Sequence, residues 1–231
     1  MSLKRYAMPL FWPLERKTKK YAVKPVPGPH SSKTAMPLGI FLRDAMKFAA
    51  TMKEAKDILN RGLVKVDGIV RKDVKFPAGV MDVISVGSES YLVLPEKSRM
   101  RFMKSRGGMK LAKISNKTVL KEGKMQLNLY NGSNIIVDSK DYSTGDTLMI
   151  DIPAGTIKGV LKMKAGSHAV IIKGKNVGTA GKIKKMITTT GSEAGIVVLE
   201  TGGADVVVPK DYVFVIGEET PVIDVAEARG E

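Results

Sequence analysis

Residues 51–68, TMKEAKDILNRGLVKVDG, constrain the fold more than any other stretch. Thr51 and Glu54 form a capping-box pattern, in which the hydroxyl accepts from a first-turn amide and the carboxylate reaches back. Ala55, Ile58 and Leu59 recur at helical spacing and predict one apolar helix face. Gly62 stands where a helix would stop, with Arg61 in a last turn that favours cations. In LVKVDGIV, Val64 and Val66 point one way and Lys65 the other, and Asp67-Gly68 predicts a tight hairpin turn. Upstream, PLGIFLRDAMKFAA puts Ile40, Phe41, Ala45, Phe48 and Ala49 on one side of a second helix. Arg43 and Lys47, four apart, lie on another side. Downstream, Val80, Asp82, Ile84 and Val86 alternate towards a further strand. The unit read from these residues is two packed helices followed by a small sheet.

Its polar positions are mostly cationic, and so is the chain. There are 38 basic and 23 acidic residues among 231, a net charge of +15. Such an excess suits a polyanionic partner, nucleic acid or an anionic membrane surface. Two segments concentrate it. Residues 1–35 hold eight basic residues and one acidic, with prolines at 9, 13, 25, 27 and 29 and no clear periodicity. They read as an extended arm that orders on a polyanion. Residues 97–113, KSRMRFMKSRGGMKLAK, hold seven basic residues, no acidic one, and a Gly107-Gly108 hinge. Residues 217–231 reverse the sign, with five acidic residues and one basic.

The middle and end of the chain read as strands separated by turns. MQLNLYNGSNIIV, YSTGDTLMIDIP and GTIKGVLKM belong to the middle, where Asn131-Gly132 is a second hairpin signal. KAGSHAVIIKGKNVGTAGKI, residues 164–183, spaces Gly166, Gly174, Gly178 and Gly181 between apolar residues. Glycines so placed let a loop turn tightly, and Lys173, Lys175, Lys182 and Lys184 flank them. AGIVVLETGGADVVVP adds a further hairpin.

Several chemistries are excluded. Without cysteine there are no disulfides, thiolate zinc sites or thiol catalysis. The apolar patch near the start is broken by Pro9 and Pro13 and lacks a cleavage signal, so no secretory leader is expected. No run approaches the ~20 apolar residues of a membrane span. GKNVGTAGKI is no phosphate loop, because Asn176 stands where the first glycine belongs and Ile183 where Ser or Thr would follow Lys182. His30 and His168 are the only histidines and lie far apart in the chain, so no metal cluster or triad is expected. Both are expected to pack or hydrogen-bond. Trp12 is suited equally to stacking on a base and to docking in an apolar protein pocket.

The register LRD…KFAAT…EA…L…G-V-VDG over residues 42–68 resembles the S4 RNA-binding fold. Asp67 stands where that fold often has Asn. Residues 164–183 resemble the KOW motif of small SH3-like barrels. SLKRYAMPLFW, GPH at 28–30, MPLGIFLRDAMKFA at 36–49, PAGVMDVISV at 77–86 and YVFVIG at 212–217 extend the likeness over nearly the whole chain. Together they resemble the S4e family of small-subunit ribosomal proteins of archaea and eukaryotes. The acidic C-terminus departs from the basic ends of the eukaryotic members, and the short chain suits an archaeal one.

That resemblance implies an α+β multidomain chain. Its parts are a basic N-terminal arm (1–37), an S4-like αα-β RNA-binding domain (38–97), a central β-rich domain (98–163), a C-terminal SH3-like KOW barrel (164–216) and an acidic tail (217–231). It implies a non-enzymatic, cytoplasmic constituent of the ribosome. The partners would be small-subunit ribosomal RNA and neighbouring ribosomal proteins, with no cofactor, metal, membrane or small-molecule substrate. The candidate RNA contacts are Lys4, Arg5, Arg16, Lys17, Lys19 and Lys20 in the arm, then Arg43, Lys47, Lys53, Lys56, Arg61 and Lys65. Arg99, Arg101, Lys104 and Arg106 follow, and Lys173, Lys175, Lys182 and Lys184 complete the set. The alternatives weighed are a KOW-type transcription factor and an accessory of an RNA-modifying enzyme. The first leaves residues 51–68 and the arm unexplained. The second lacks the GRLD-like strand of pseudouridine synthases, and a tyrosyl-tRNA synthetase would need a nucleotide-binding domain for which there is no room.

Overall fold

A computed structural model describes residues 3–97, 99–105, 107–138, 141–187 and 195–223. It divides into two compact units. Unit 1 comprises Met1–Leu94, Ser98–Lys110 and Ile152–Ala154. Unit 2 comprises Pro95–Lys97, Leu111–Asp151 and Gly155–Glu231. Most of the described secondary structure is β.

Unit 1 opens with β1 (Leu3–Lys4) and β2 (Tyr21–Ala22), a short antiparallel pair. β3 (Ala35–Pro37) leads into a helical turn, α1 (Leu38–Ile40), which widens into a π-helical segment, Phe41–Ala45. α2 (Met52–Asn60) is the one helix of substantial length among the described residues. After it come β4 (Val64–Val66), β5 (Ile69–Val70), β6 (Pro77–Gly79), β7 (Val83–Val86), β8 (Glu89–Pro95) and β9 (Met100–Ser105). They form a five-stranded sheet ordered β5-β4-β7-β8-β9, while β6 pairs with β3.

The second helix behaves as its residues predict. The Glu54 amide donates to Thr51 Oγ1 at 3.2 Å, and Glu54 Oε2 accepts from the Ala50 amide at 2.9 Å. The carboxylate thus reaches the residue before the cap. Ala55 and Leu59 are fully buried, and Gly62 closes the helix at φ +73°. Asp67 and Gly68, at φ +51° and +78°, make the hairpin turn between β4 and β5. Gly68 is doubly required, because a Cβ there would sit 2.6 Å from the Ile152 side chain.

Three expectations are corrected. The first helix does not run to Ala49. The Met46 amide bonds the Phe41 carbonyl five residues back, and Lys47 leaves the helix at φ +57°. A wide turn and a left-handed exit break the four-residue spacing of Arg43 and Lys47. The strand read from Val80 begins only at Val83, because Met81 turns left-handed at φ +67°, although Val80, Asp82 and Ile84 are all buried, on the one side that the alternation gave them. The arm is not extended. Met8 and Trp12 are buried in the unit 1 core, and Trp12 Nε1 donates to the Ala35 carbonyl at 3.0 Å. Burying apolar side chains offsets the ordering entropy that a polar, proline-rich segment could not. Trp12 therefore docks within its own chain.

Unit 2 holds most of β10 (Met109–Val119), then β11 (Met125–Leu129), β12 (Asn134–Val137), β13 (Thr147–Asp151) and β14 (Ile157–Leu161). Their sheet order is β12-β11-β10-β13-β14, around a core of Ile114, Leu127 and Leu148. β15 (His168–Ile171), β16 (Ala180–Ile187), β17 (Ile196–Thr201), β18 (Ala204–Pro209) and β19 (Val213–Gly217) follow, ordered β18-β17-β16-β15-β19. The glycines spaced along 164–183 serve close approach as well as turning. A Cβ on Gly178 would lie 2.7 Å from the Pro95 carbonyl oxygen, and one on Gly181 would lie 2.3 Å from that of Glu200.

Candidate nucleic-acid interface

α2 buries Ala55 and Leu59, which leaves Lys53 and Lys56 exposed one turn apart on the other side. Arg61 is exposed at the helix end. Lys65 is exposed on β4 because Val64 and Val66 take the core face. None of these four cations is ion-paired among the described residues. Hydrogen bonds from the Ala50 amide and the Thr51 hydroxyl hold the Glu54 carboxyl below its ordinary range. It is tied to the helix start and forms no ion pair with the row of cations. Consecutive secondary elements thus offer four free positive charges, which is what backbone-positioning contacts to phosphates require.

Arg43 and Lys47 contribute less. Arg43 is half-buried and binds Asp44 through two nitrogens, with Nη2 2.9 Å from Oδ2. Lys47 is exposed on the left-handed residue after the π-helical segment.

In the N-terminal segment Lys4, Lys17, Lys19 and Lys20 are exposed. Arg16 is half-buried and donates to the Met8 carbonyl at 3.0 Å. Arg5 is buried at 7% exposure, with its Nε on the Glu15 carbonyl, so it holds the segment together from inside.

The basic run 97–113 divides. Arg99 is exposed, Arg101 half-buried, and Lys104 pairs with Glu89 at 2.8 Å near the surface. Arg106 lies outside the described residues. Lys110 and Lys113, however, are both buried at 4% exposure, which corrects the reading of the run as one surface. Lys110 belongs to a buried charge network within unit 1. Its ammonium contacts Asp67 and lies 2.6 Å from Asp82 Oδ1. Asp82 Oδ2 also meets His30 Nε2 at 2.8 Å and the Gly79 amide at 2.9 Å.

Burial opposes ionisation of Asp82, but Lys110, His30 and the Gly79 amide more than offset it and hold its carboxyl well below the usual range. Burial and the neighbouring Asp82 charge raise the Asp67 carboxyl despite Lys110. Burial pulls Lys110 down, and the two carboxylates outweigh it. Two carboxylates around one buried lysine are the satisfied arrangement that its charge needs. Gly79 makes room, since a Cβ there would stand 2.3 Å from the His30 ring. Lys113, in unit 2, instead donates to the carbonyls of Lys210, Asp211 and Val213 at 2.8–3.0 Å.

Around the glycine-rich hairpin, Lys175 and Lys182 are exposed, and Lys184 pairs with Asp205 at 2.8 Å. Lys173 is half-buried, with its ammonium 5.4 Å from the centre of the Tyr130 ring. It lines a cavity of about 390 Å3 together with Lys113, Tyr130, Lys210 and Asp211. Sequence reasoning missed Tyr130 and Lys210, because the turn after β11 and the helical turn between β18 and β19 meet only in the fold. His168 contacts the Glu219 carbonyl at 3.1 Å. No cluster of metal-ligating side chains occurs among the described residues, and no described helix is long and apolar enough to cross a membrane.

Comparison with known proteins adds an independent line. The model of the ribosomal family S4e matches residues 88–157, the RS4NT domain matches residues 1–33, and the S4 domain matches residues 36–84. The small ribosomal subunit protein eS4 of Aeropyrum pernix is 41% identical, over 97% of this chain and 95% of that protein. Its counterpart in Methanocaldococcus jannaschii is 43% identical, over 96% of each. The crystal structure of the 30S ribosomal protein S4e of Thermoplasma acidophilum is similar at a TM-score of 0.70 and 33% identity, covering 80% of this chain and 96% of that one.

Proposed function

Because the chain belongs to the ribosomal S4e family, we propose that it is a structural constituent of the small ribosomal subunit, binding and positioning ribosomal RNA. The observation that carries this reading is the row Lys53, Lys56, Arg61 and Lys65, exposed and unpaired on the S4 domain. Such a row neutralises phosphates without reading sequence, and an A-form helix exposes little sequence to side chains in any case. The work is shape recognition and charge neutralisation, with no chemistry of its own. The half-buried Asp67 and the buried Asp82, for their part, are engaged by a lysine, a histidine and backbone amides.

The other parts extend the same role. Residues 164–216 act as a KOW-bearing SH3-like barrel that presents Lys175 and Lys182, and Lys173 at its cavity, to an RNA backbone. The N-terminal segment adds Lys4, Lys17, Lys19 and Lys20. Neighbouring ribosomal proteins cover what RNA does not. The protein resides in the ribosome.

Fractionation of the native cells tests the reading. The protein should sediment with small subunits at low salt and leave them at high salt. Sedimentation apart from ribosomes at low salt would overturn the assignment.

A further inference from the structure

Two tyrosines of the N-terminal segment take no part in the core that folds it. Tyr6 is 72% exposed and Tyr21 49%. Pairing of β1 with β2 sets Lys4 opposite Tyr21, and the Arg5 amide bonds the Lys20 carbonyl at 3.0 Å. Tyr6 is one residue from that bond, so the two tyrosines lie close along the paired backbone. Each ring has a cation beside it. The Arg16 guanidinium is 6.0 Å from the Tyr6 ring centre and the Lys20 ammonium 5.5 Å from that of Tyr21. Arg16 is also tied to the Met8 carbonyl, which fixes it in place. The segment exposes Lys4, Lys17 and Lys19 as well, and its one carboxylate is Glu15.

An exposed aromatic ring with a cation at hand is the combination that single-stranded nucleic acid requires. Bases stack on the ring face whatever their sequence, and cations take the phosphates. The one-sided charge selects a polyanion over an apolar protein surface. We infer that Tyr6 and Tyr21 are stacking platforms for unpaired RNA bases, with Lys17 and Lys19 on the adjoining phosphates. This rests on the RNA-binding reading above and sharpens it: phosphate contacts alone suit a duplex, whereas stacking demands bases free of pairing.

The test uses the full-length protein and two probes, a single-stranded oligoadenylate and an abasic oligomer of the same length. Tyr6→Leu and Tyr21→Leu remove the ring but keep an apolar side chain, and Tyr6→Phe keeps the ring. Emission from Trp12, the only tryptophan, verifies that the segment stays folded in each variant. Each leucine variant should weaken oligoadenylate binding roughly 5-fold or more, with the salt slope unchanged. Tyr6→Phe should bind as the native protein does. The abasic oligomer should bind the native protein and the double leucine variant equally.

Native affinity for oligoadenylate in the double leucine variant would overturn the inference. If Lys17→Ala with Lys19→Ala still weakens binding in that case, RNA contact by the segment stands and stacking alone fails. If it does not, RNA contact by this segment fails too. Reduced incorporation into small subunits with oligoadenylate binding intact would assign the rings to a protein partner, which also overturns the inference.

Discussion

Lys110 and Lys113 stand three residues apart on one strand, and both are buried, yet they are held in different ways. Lys110 has two carboxylates, so its charge is matched. Replacing it with Met would leave the buried Asp82 and the half-buried Asp67 without their cation, a change expected to cost about 3–5 kcal/mol. Chemical denaturation followed by Trp12 fluorescence should show this as a lower midpoint. Lys113 has only carbonyl partners, and burial, against the help of Asp211 and with opposition from Lys210 and Lys173, lowers its pKa to about 8. A depressed folded value means stability that is full above the unfolded value near 10.5 and lost as pH falls through 8. Unfolding free energy of the native protein relative to Lys113→Met should therefore rise by about 3 kcal/mol from pH 8 to 10.5. A difference that stays flat over that range would contradict the buried ammonium. Neither lysine was legible as an internal group. Lysine is rarely buried, and the partners are remote in the chain: Lys110 is 43 residues from Asp67 and 28 from Asp82, and Lys113 is 97 from Lys210.

At the scale of elements, what could be read ahead was what is encoded within a few residues. The cap at Thr51, the buried pair Ala55 and Leu59, the stop at Gly62 and the turn at Asp67-Gly68 all follow from local chemistry. Thr51→Ala should cost about 1 kcal/mol, measurable as a small loss of thermal stability. What failed was extrapolation from a pattern into a place where tertiary contacts decide. The periodicity of residues 40–49 looked helical throughout, but Phe48 leaves the core after Lys47 turns left-handed, and its ring meets Tyr91 edge-on at 6.0 Å. The N-terminal segment lacks periodicity, and so read as an extended arm, yet Trp12 anchors it through a carbonyl 23 residues away. Gly178 illustrates a signal with a second meaning. Its spacing suggested a tightly turning loop, and in addition the Pro95 backbone occupies the space a side chain would need. Gly178→Ala also forces a left-handed alanine at φ +80° and should destabilise the hairpin by about 1–3 kcal/mol.

For the whole molecule, a net charge of +15 indicated a polyanionic partner but not where it sits. Folding sorts that charge. Some cations become structural, as with Arg5, Lys110 and Lys113. Some are neutralised near the surface, as with Arg43, Lys104 and Lys184. Others among the described residues stay exposed, and the set on α2 and β4 is the one whose local sequence also names its fold. The central claim is that these four cations clamp an RNA backbone. It is tested most directly by replacing Lys53, Lys56, Arg61 and Lys65 together with Ala and measuring affinity for small-subunit ribosomal RNA across salt concentrations. Every phosphate deprived of its cation should flatten the slope of log K against log salt by roughly 0.7–0.9, so the quadruple variant should bind more weakly with a slope shallower by about 3. An affinity and slope equal to those of the native protein would place the clamp elsewhere and contradict the account.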